Sequence, residues 1–195
     1  MIAALYVDPR GPYPSMPDVD AWDVTRNATR YDGPHAIVAH PPCGPWGRLA
    51  HLYEGTEHAL GLRAVQQVRR WGGVLEHPAR SLLWAAAGLP APGDSPSVDP
   101  NGFTVEVEQV SWGHVARKRT WLYCVGVPRA LVDGTRRYGG TPTHWASGGR
   151  TRSSRNGSPV PPGIRVCSAA QRRRTPPAFA EWLVMLARNV QRSTL

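Results

Sequence analysis

Apolar residues along this chain come in short blocks that proline and glycine repeatedly cut off. Ile2 to Val7 are continuously apolar, which predicts a strand covered on both faces. A proline-rich stretch over 9–17 ends it. Residues 19–23 predict a short strand, and 24–31 a short helix. Ala36-Ile37-Val38-Ala39 predicts another strand, stopped at Pro41-Pro42 because proline carries no N–H and restricts the residue before it. The clearest periodicity lies in 56–73, where Leu60, Ala64, Val65 and Val68 recur at helical spacing and Gly72-Gly73 closes the run. Residues 73–78 read as a strand cut by Pro78, 81–89 as a short helix and 90–102 as a loop. Residues 103–112 alternate as a strand does. Residues 119–127 are apolar on both faces, as a central strand would be.

Strands alternating with helices predict an α/β fold with a mainly parallel sheet in a single domain. The expected catalytic part covers 1–133. Residues 134–165 change to Gly, Ser, Pro and Arg and predict a long loop. Residues 166–195 predict a last helix, starting near Pro176-Pro177, with Phe179, Leu183, Leu186 and Ala187 on its packed face.

Composition narrows the class. Among 195 residues 41% are hydrophobic, enough for a core. No apolar run reaches the about 18 residues that cross a bilayer, so no membrane role is expected. The N-terminus lacks a basic segment before its apolar run and reads as a first strand rather than a signal peptide. Cys43, Cys124 and Cys167 are widely spaced, which predicts a reducing, cytoplasmic setting without disulfides. The formal net charge of +9 points to an anionic partner, most simply nucleic acid. Lys118 is the only lysine; codon bias accounts for arginine over lysine, but not for base over acid.

Three predicted strand ends carry polar side chains. The strand at 36–39 ends in Pro41-Pro42-Cys43, that at 73–78 in Glu76-His77-Pro78, and the last two are joined through Trp112-Gly113-His114-Val115-Ala116-Arg117-Lys118-Arg119. Ligands in open α/β sheets bind outside the carboxyl ends of the strands, where a thiol, a carboxylate and guanidinium groups can converge. This ordered set resembles the C5-cytosine DNA methyltransferase family. There a Pro-Cys supplies the nucleophile, a strand-terminal Glu supports the base, and an aromatic-Gly pair precedes Arg-x-Arg. The resemblance runs over roughly 19–127. Val115 stands where the family has Gln, His77 where it has Asn, and the usual target-recognition domain is missing. The Gly-rich cofactor loop is also absent from "VDPRGPYPSMPDVDAWD".

The resemblance implies a reduced Rossmann-like methyltransferase fold, S-adenosylmethionine as methyl donor and DNA as substrate. Cys43 is then the nucleophile toward cytosine C6, Glu76 the carboxyl partner of N3 and the exocyclic amine, and Arg117 and Arg119 the cations of the site. Asp8, Asp20, Asp23 and Pro41 fall where the cofactor would lie. Trp46, Arg48, His77, Trp112, His114, Lys118, Arg150, Arg152 and Arg155 are the expected nucleic-acid contacts. No metal is called for, since the H-x-E and P-C-x-x-C of zinc deaminases are missing. Cysteine suits the first step because even an unassisted thiol is partly thiolate at neutral pH. Three alternatives remain open at this point. One is C5 modification from another one-carbon donor, as in thymidylate synthase. A second is an amino-methyltransferase in which Cys43 is dispensable. The third is a non-catalytic DNA-binding protein of the same fold. The small size suits a phage protein.

Overall fold

The structure, a computed structural model, describes residues 1–47, 50, 53, 55, 57–146 and 163–191. Six strands form one sheet in the order β2-β1-β3-β4-β6-β5. They are β1 (Ile2–Leu5), β2 (Val19–Trp22), β3 (Ile37–Ala39), β4 (Gly73–Pro78), β5 (Gly102–Glu108) and β6 (Arg119–Val125). β2, β1, β3 and β4 run parallel, and β6 runs antiparallel between β4 and β5. The fold is therefore α/β with a mostly parallel sheet. β6 is reversed because only residues 109–118 link it to β5, too few for a crossover that returns the chain in the same direction.

Side chains alternate between two cores. Ala3, Leu5, Ile37, Ala39, Leu75 and Tyr123 face α1 (His58–Trp71) and α2 (Leu82–Ala87). Ile2, Ala4, Val38, Val74, Leu122 and Cys124 face the C-terminal helix α5 (Pro177–Arg188), which contributes Phe179, Leu183 and Leu186. The apolar period of 56–73 thus marks the face α1 lays on the sheet. Gly73 allows the α1-to-β4 join to lie this close to β3. It has φ +124°, and a Cβ there would come within 1.9 Å of the Ile37 carbonyl oxygen.

Several local expectations change. Residues 24–31 form only a 3₁₀ turn at Ala28–Arg30, capped by the Asn27 side chain, rather than a helix. The strand expected to 112 ends at Glu108, and Gln109–Trp112 coil into a 3₁₀ turn that starts the reversal. Two short helices, α3 (Arg129–Thr135) and α4 (Ala169–Arg173), lay outside the reading of the sequence. So did the two-residue strands β7 (His144–Trp145) and β8 (Arg165–Val166), which pair in parallel. Among the described residues no helix is long and apolar enough to cross a membrane.

Candidate active site at the carboxyl end of the sheet

The strand order turns around between β1 and β3: β2 follows to one side, β3 and β4 to the other. That is the switch point where open α/β sheets leave a crevice at their carboxyl ends. His40 extends β3 by donating its backbone N–H to the Leu5 carbonyl of β1, at 3.0 Å. Pro41 and Pro42 then end the ladder. Cys43 follows in helical φ/ψ at the head of a 3₁₀ turn, Gly44–Trp46. Its side chain is exposed and in no disulfide.

The register of β3 on β4 sets what lies beside it. Ala39 opposes Leu75, so the next positions, His40 and Glu76, fall side by side toward the α5 face. His40 Nδ1 lies 3.0 Å from Glu76 Oε2, and His40 Nε2 lies 2.6 Å from the Tyr13 hydroxyl. Burial pushes the Tyr13 hydroxyl well above its ordinary pKa, and the negative Glu76 adds to this, so Tyr13 holds its proton. Both contacts are satisfied when Tyr13 O–H donates to Nε2 and Nδ1–H donates to Glu76. On the other oxygen, Gln109 Nε2 donates to Glu76 Oε1 at 2.8 Å and also to Thr120 Oγ1 at 3.0 Å. Tyr13, His40, Glu76, Gln109 and Thr120 therefore form one largely buried polar chain across five segments of the fold.

Glu76 is 8% exposed. Burial alone would raise its pKa. The charge of Lys118, the hydrogen bond from His40 and the nearby His40 and His77 rings outweigh it and hold the carboxyl at about 2. Glu76 is thus ionised at neutral pH. His77 points to the opposite face of the sheet, against Trp84. Its ring is sealed, and neither nitrogen makes a hydrogen bond of good geometry, although the Pro42 carbonyl faces it. Burial pushes its pKa down to about 4, against the pull of Glu76 and that carbonyl.

The structure sorts the other sequence-derived candidates. Lys118, with φ +40°, is the member of Arg117-Lys118-Arg119 whose charge acts on Glu76. Arg117 is exposed and lies 3.7 Å from Glu108, while Arg119 pairs with Glu106 at 2.6 Å. Both guanidinium groups are engaged on the β5 edge. Strand alternation explains this for Arg119: it projects to the face opposite Glu76, whereas Thr120 projects beside it.

Trp46 and Trp112 are core side chains, not surface platforms for bases. Trp46 packs against His58 and under α1 at Gly61, and Trp112 stacks with Phe179 and Trp182. His114 is buried too. It accepts from the Ala116 N–H on Nδ1 and donates from Nε2 to the Gln171 carbonyl, so it fixes a loop and reads no base. His77, sealed as described, is likewise not a surface contact. Arg48, Arg150, Arg152 and Arg155 lie outside the described residues.

The residues expected to hold S-adenosylmethionine do not assemble a cradle. Asp8 is exposed and caps its own turn beside Arg10. Both oxygens of Asp20 are taken, one by Arg26 and one by the Trp22 indole. Asp23 accepts the backbone N–H groups of Thr25 and Arg26. Pro41 is buried. The β1–β2 loop packs its Tyr13 into the core next to His40, where a glycine-rich loop would leave space for phosphate or carboxylate groups. Two surface hollows, of about 210 and 190 Å³, lie elsewhere and are not lined by Cys43.

Reading the sequence for motifs missed Tyr13, His40, Gln109 and Thr120 as site residues. His40, next to Pro41-Pro42-Cys43, carried a signal in its position at a strand end. The other three carried none, because nothing local ties a tyrosine in a proline-rich loop to a glutamine near residue 109. Comparison with protein-family models, with curated proteins and with solved structures gave no match for this chain.

Proposed function

We propose that this protein modifies cytosine at C5 in DNA, with Cys43 as nucleophile and Glu76 as the carboxylate that holds the base. The observation that carries the reading is the arrangement at two adjacent strand ends. An exposed thiol follows β3, and a buried, ionised carboxylate on β4 is fixed by His40 from the thiol's own strand.

The chemistry follows from those groups. C5 of cytosine is a poor nucleophile while the ring is aromatic. The Cys43 thiolate forms a bond from sulfur to C6, the C5–C6 π electrons shift toward N3, and N3 takes up a proton from solvent. Glu76 accepts hydrogen bonds from the exocyclic amine and from N3–H. Its two oxygens keep lone pairs beyond those used by His40 and Gln109. C5, now enamine-like, bonds to the electrophilic carbon of a donor, whose leaving group departs with its bonding electrons. Loss of the C5 hydrogen as a proton to water then returns the electron pair that expels sulfur as thiolate, and N3 gives its proton back to solvent. A base in duplex DNA must first leave the stack at a cost of a few kcal/mol. Because the expected cofactor residues form no cradle, the donor of the carbon is assigned to no residue.

A second reading has its own support. The same missing cradle favours a DNA-binding protein that retains the fold without the chemistry. Mass spectrometry of nucleosides from DNA co-expressed with the protein separates the two. A cytosine of increased mass, absent when Cys43→Ser is expressed, supports the enzyme, and the mass gain names the group transferred. Modification that survives Cys43→Ser refutes the C5 route. Unmodified cytosine in both samples, with DNA binding intact, supports the second reading.

A further inference from the structure

The charge of this chain is divided unevenly. Residues 1–133 contain twelve basic and thirteen acidic side chains, so the catalytic part is almost neutral. Residues 134–195 contain eleven arginines and one acid, Glu181. The whole excess of positive charge therefore belongs to the C-terminal third.

The structure shows how the two parts differ in use. In the first part, Arg10, Arg26, Arg69, Arg70, Arg117, Arg119 and Arg129 lie within salt-bridge distance of a carboxylate, while Arg30, Arg63 and Arg80 are in no salt bridge among the described residues; in the last third Arg136 lies 3.6 Å from Asp133. Arg165, Arg173 and Arg174 are exposed, and none of the salt bridges among the described residues includes them. Their backbone is held firmly. Ser168 and Gln171 form a reciprocal cap at the start of α4, and the Cys167 N–H donates to the Trp145 carbonyl at 2.9 Å. Two further bonds tie α4 to the loop beside the candidate site. His114 Nε2 lies 3.0 Å from the Gln171 carbonyl, and Lys118 Nζ donates to the Arg174 carbonyl at 3.2 Å. Lys118 is the residue whose charge acts on Glu76. A rim of unneutralised arginines is thus fastened, through one lysine, to the edge of the site.

We propose that Arg165, Arg173 and Arg174 form a surface that grips the phosphate backbone of DNA and sets it beside Cys43 and Glu76. The choice of DNA rests on the proposed function; the polyanionic character of the partner rests on the charge alone. Guanidinium groups on a held backbone suit phosphate oxygens, which they bond in pairs. Contacts of this kind position a duplex without reading its sequence. Each phosphate neutralised releases counterions, so affinity falls linearly with the logarithm of salt concentration.

Fluorescence anisotropy with a labelled 24-base-pair duplex, titrated at several salt concentrations, tests this on the full chain. Two variants are compared with the native protein: Arg173→Ser with Arg174→Ser, and the control pair Arg70→Ser with Arg129→Ser. The rim pair lowers the salt slope by about 2 and weakens binding about tenfold at moderate salt. The control pair, equal in charge removed, changes affinity by less than about twofold, since each of those arginines already serves a carboxylate. Thermal unfolding reports that both pairs are folded. Equal loss in the two pairs would show that only net charge matters and overturn the assignment, as would native affinity in the rim pair. Tighter binding of a duplex RNA of the same length overturns the choice of DNA. Failure of the chemistry, with binding still lost in the rim pair, would strike the proposed function and leave this surface standing.

Discussion

The two ends of the sheet each bury a carboxylate, and they use it in opposite ways. Asp99 lies at the amino end, where the loop before β5 meets α1. It accepts from the Tyr123 hydroxyl at 2.6 Å and from the Asn101 N–H, and Arg69 lies 3.3 Å away. Burial would raise its pKa, but these three partners hold it below the ordinary range. A cation, a hydroxyl and an amide saturate the group, and the result is a fastened loop. Glu76, at the carboxyl end, accepts from the His40 ring and the Gln109 amide, with Lys118 acting through its charge. The Gln109 Oε1 beside it is buried without a partner among the described residues, and the exposed Cys43 follows the next strand. Buried polar groups are costly unless fully paired, so a carboxylate beside an unpartnered amide oxygen and an exposed cysteine marks the end where a ligand has room to complete the set.

Substitutions at the two ends sharpen that contrast. The largest effect is expected at the closed end from Gly73→Ala. A Cβ there meets the Ile37 carbonyl at 1.9 Å on a residue with φ +124°, so stability falls by more than about 4 kcal/mol in denaturant unfolding, or the protein fails to fold. Asp99→Ala leaves Arg69 and Tyr123 without their acceptor and costs about 3 kcal/mol, with modification of DNA retained in the folded fraction. Glu76→Gln is the converse. It keeps the size and most hydrogen bonds, costs about 1–2 kcal/mol in stability, and lowers cytosine modification at least about a hundredfold. If Asp99→Ala abolished modification while Glu76→Gln spared it, the distinction between the two ends would be lost.

Acid weakens the fold through both residues of the β4 end. His77 has its pKa depressed from 6.5 to about 4, so its contribution is complete above pH 6.5 and is lost as pH falls toward 4. Glu76 is depressed from 4.5 to about 2, so its contribution is complete above pH 4.5 and is lost as pH falls toward 2. Each amounts to about 3 kcal/mol at most. Unfolding free energy measured against pH therefore begins to fall near 6.5, and His77→Leu flattens the segment between 6.5 and 4.5 while leaving the lower one. An unchanged upper segment in that variant would remove His77 from the account. Tyr13→Phe should have the smallest effect. It breaks one hydrogen bond at the far end of the chain, costs about 1 kcal/mol by denaturant unfolding, and leaves His40 Nε2 without its donor.

Much of the architecture was open to a reading of the chain alone. Ile2 to Leu5, Ile37 to Ala39 and Gly73 to Pro78 are short apolar runs ended by turn residues. The α1 period and the Gly72-Gly73 stop are local features of 3.6-residue geometry. Cys43 at a double proline and Glu76 at a strand end were visible for the same reason, since both positions follow from where a strand must stop. Placing Arg119 in the site went wrong because alternation along β6 decides which face its side chain meets, and motif spacing does not encode that face; Arg117, just before β6, turns to Glu108 instead. Trp46 and Trp112 were misplaced because an aromatic beside a loop has the same local pattern whether it faces water or packs on α1 or α5.

What the sequence determined by itself is the six strands of the main sheet with α1, α2 and α5, the strand-end positions of the thiol and the carboxylate, and the basic charge of the last third. These depend on near neighbours in the chain and on counting. What only the tertiary structure decided is the register of β3 on β4, the reversal of β6, and the joining of Tyr13, His40, Glu76, Gln109 and Thr120 into one hydrogen-bonded chain. Pairing between distant segments is settled by which packing buries both sheet faces while satisfying every buried polar group. That condition involves the whole molecule at once and leaves no mark in any single stretch of sequence.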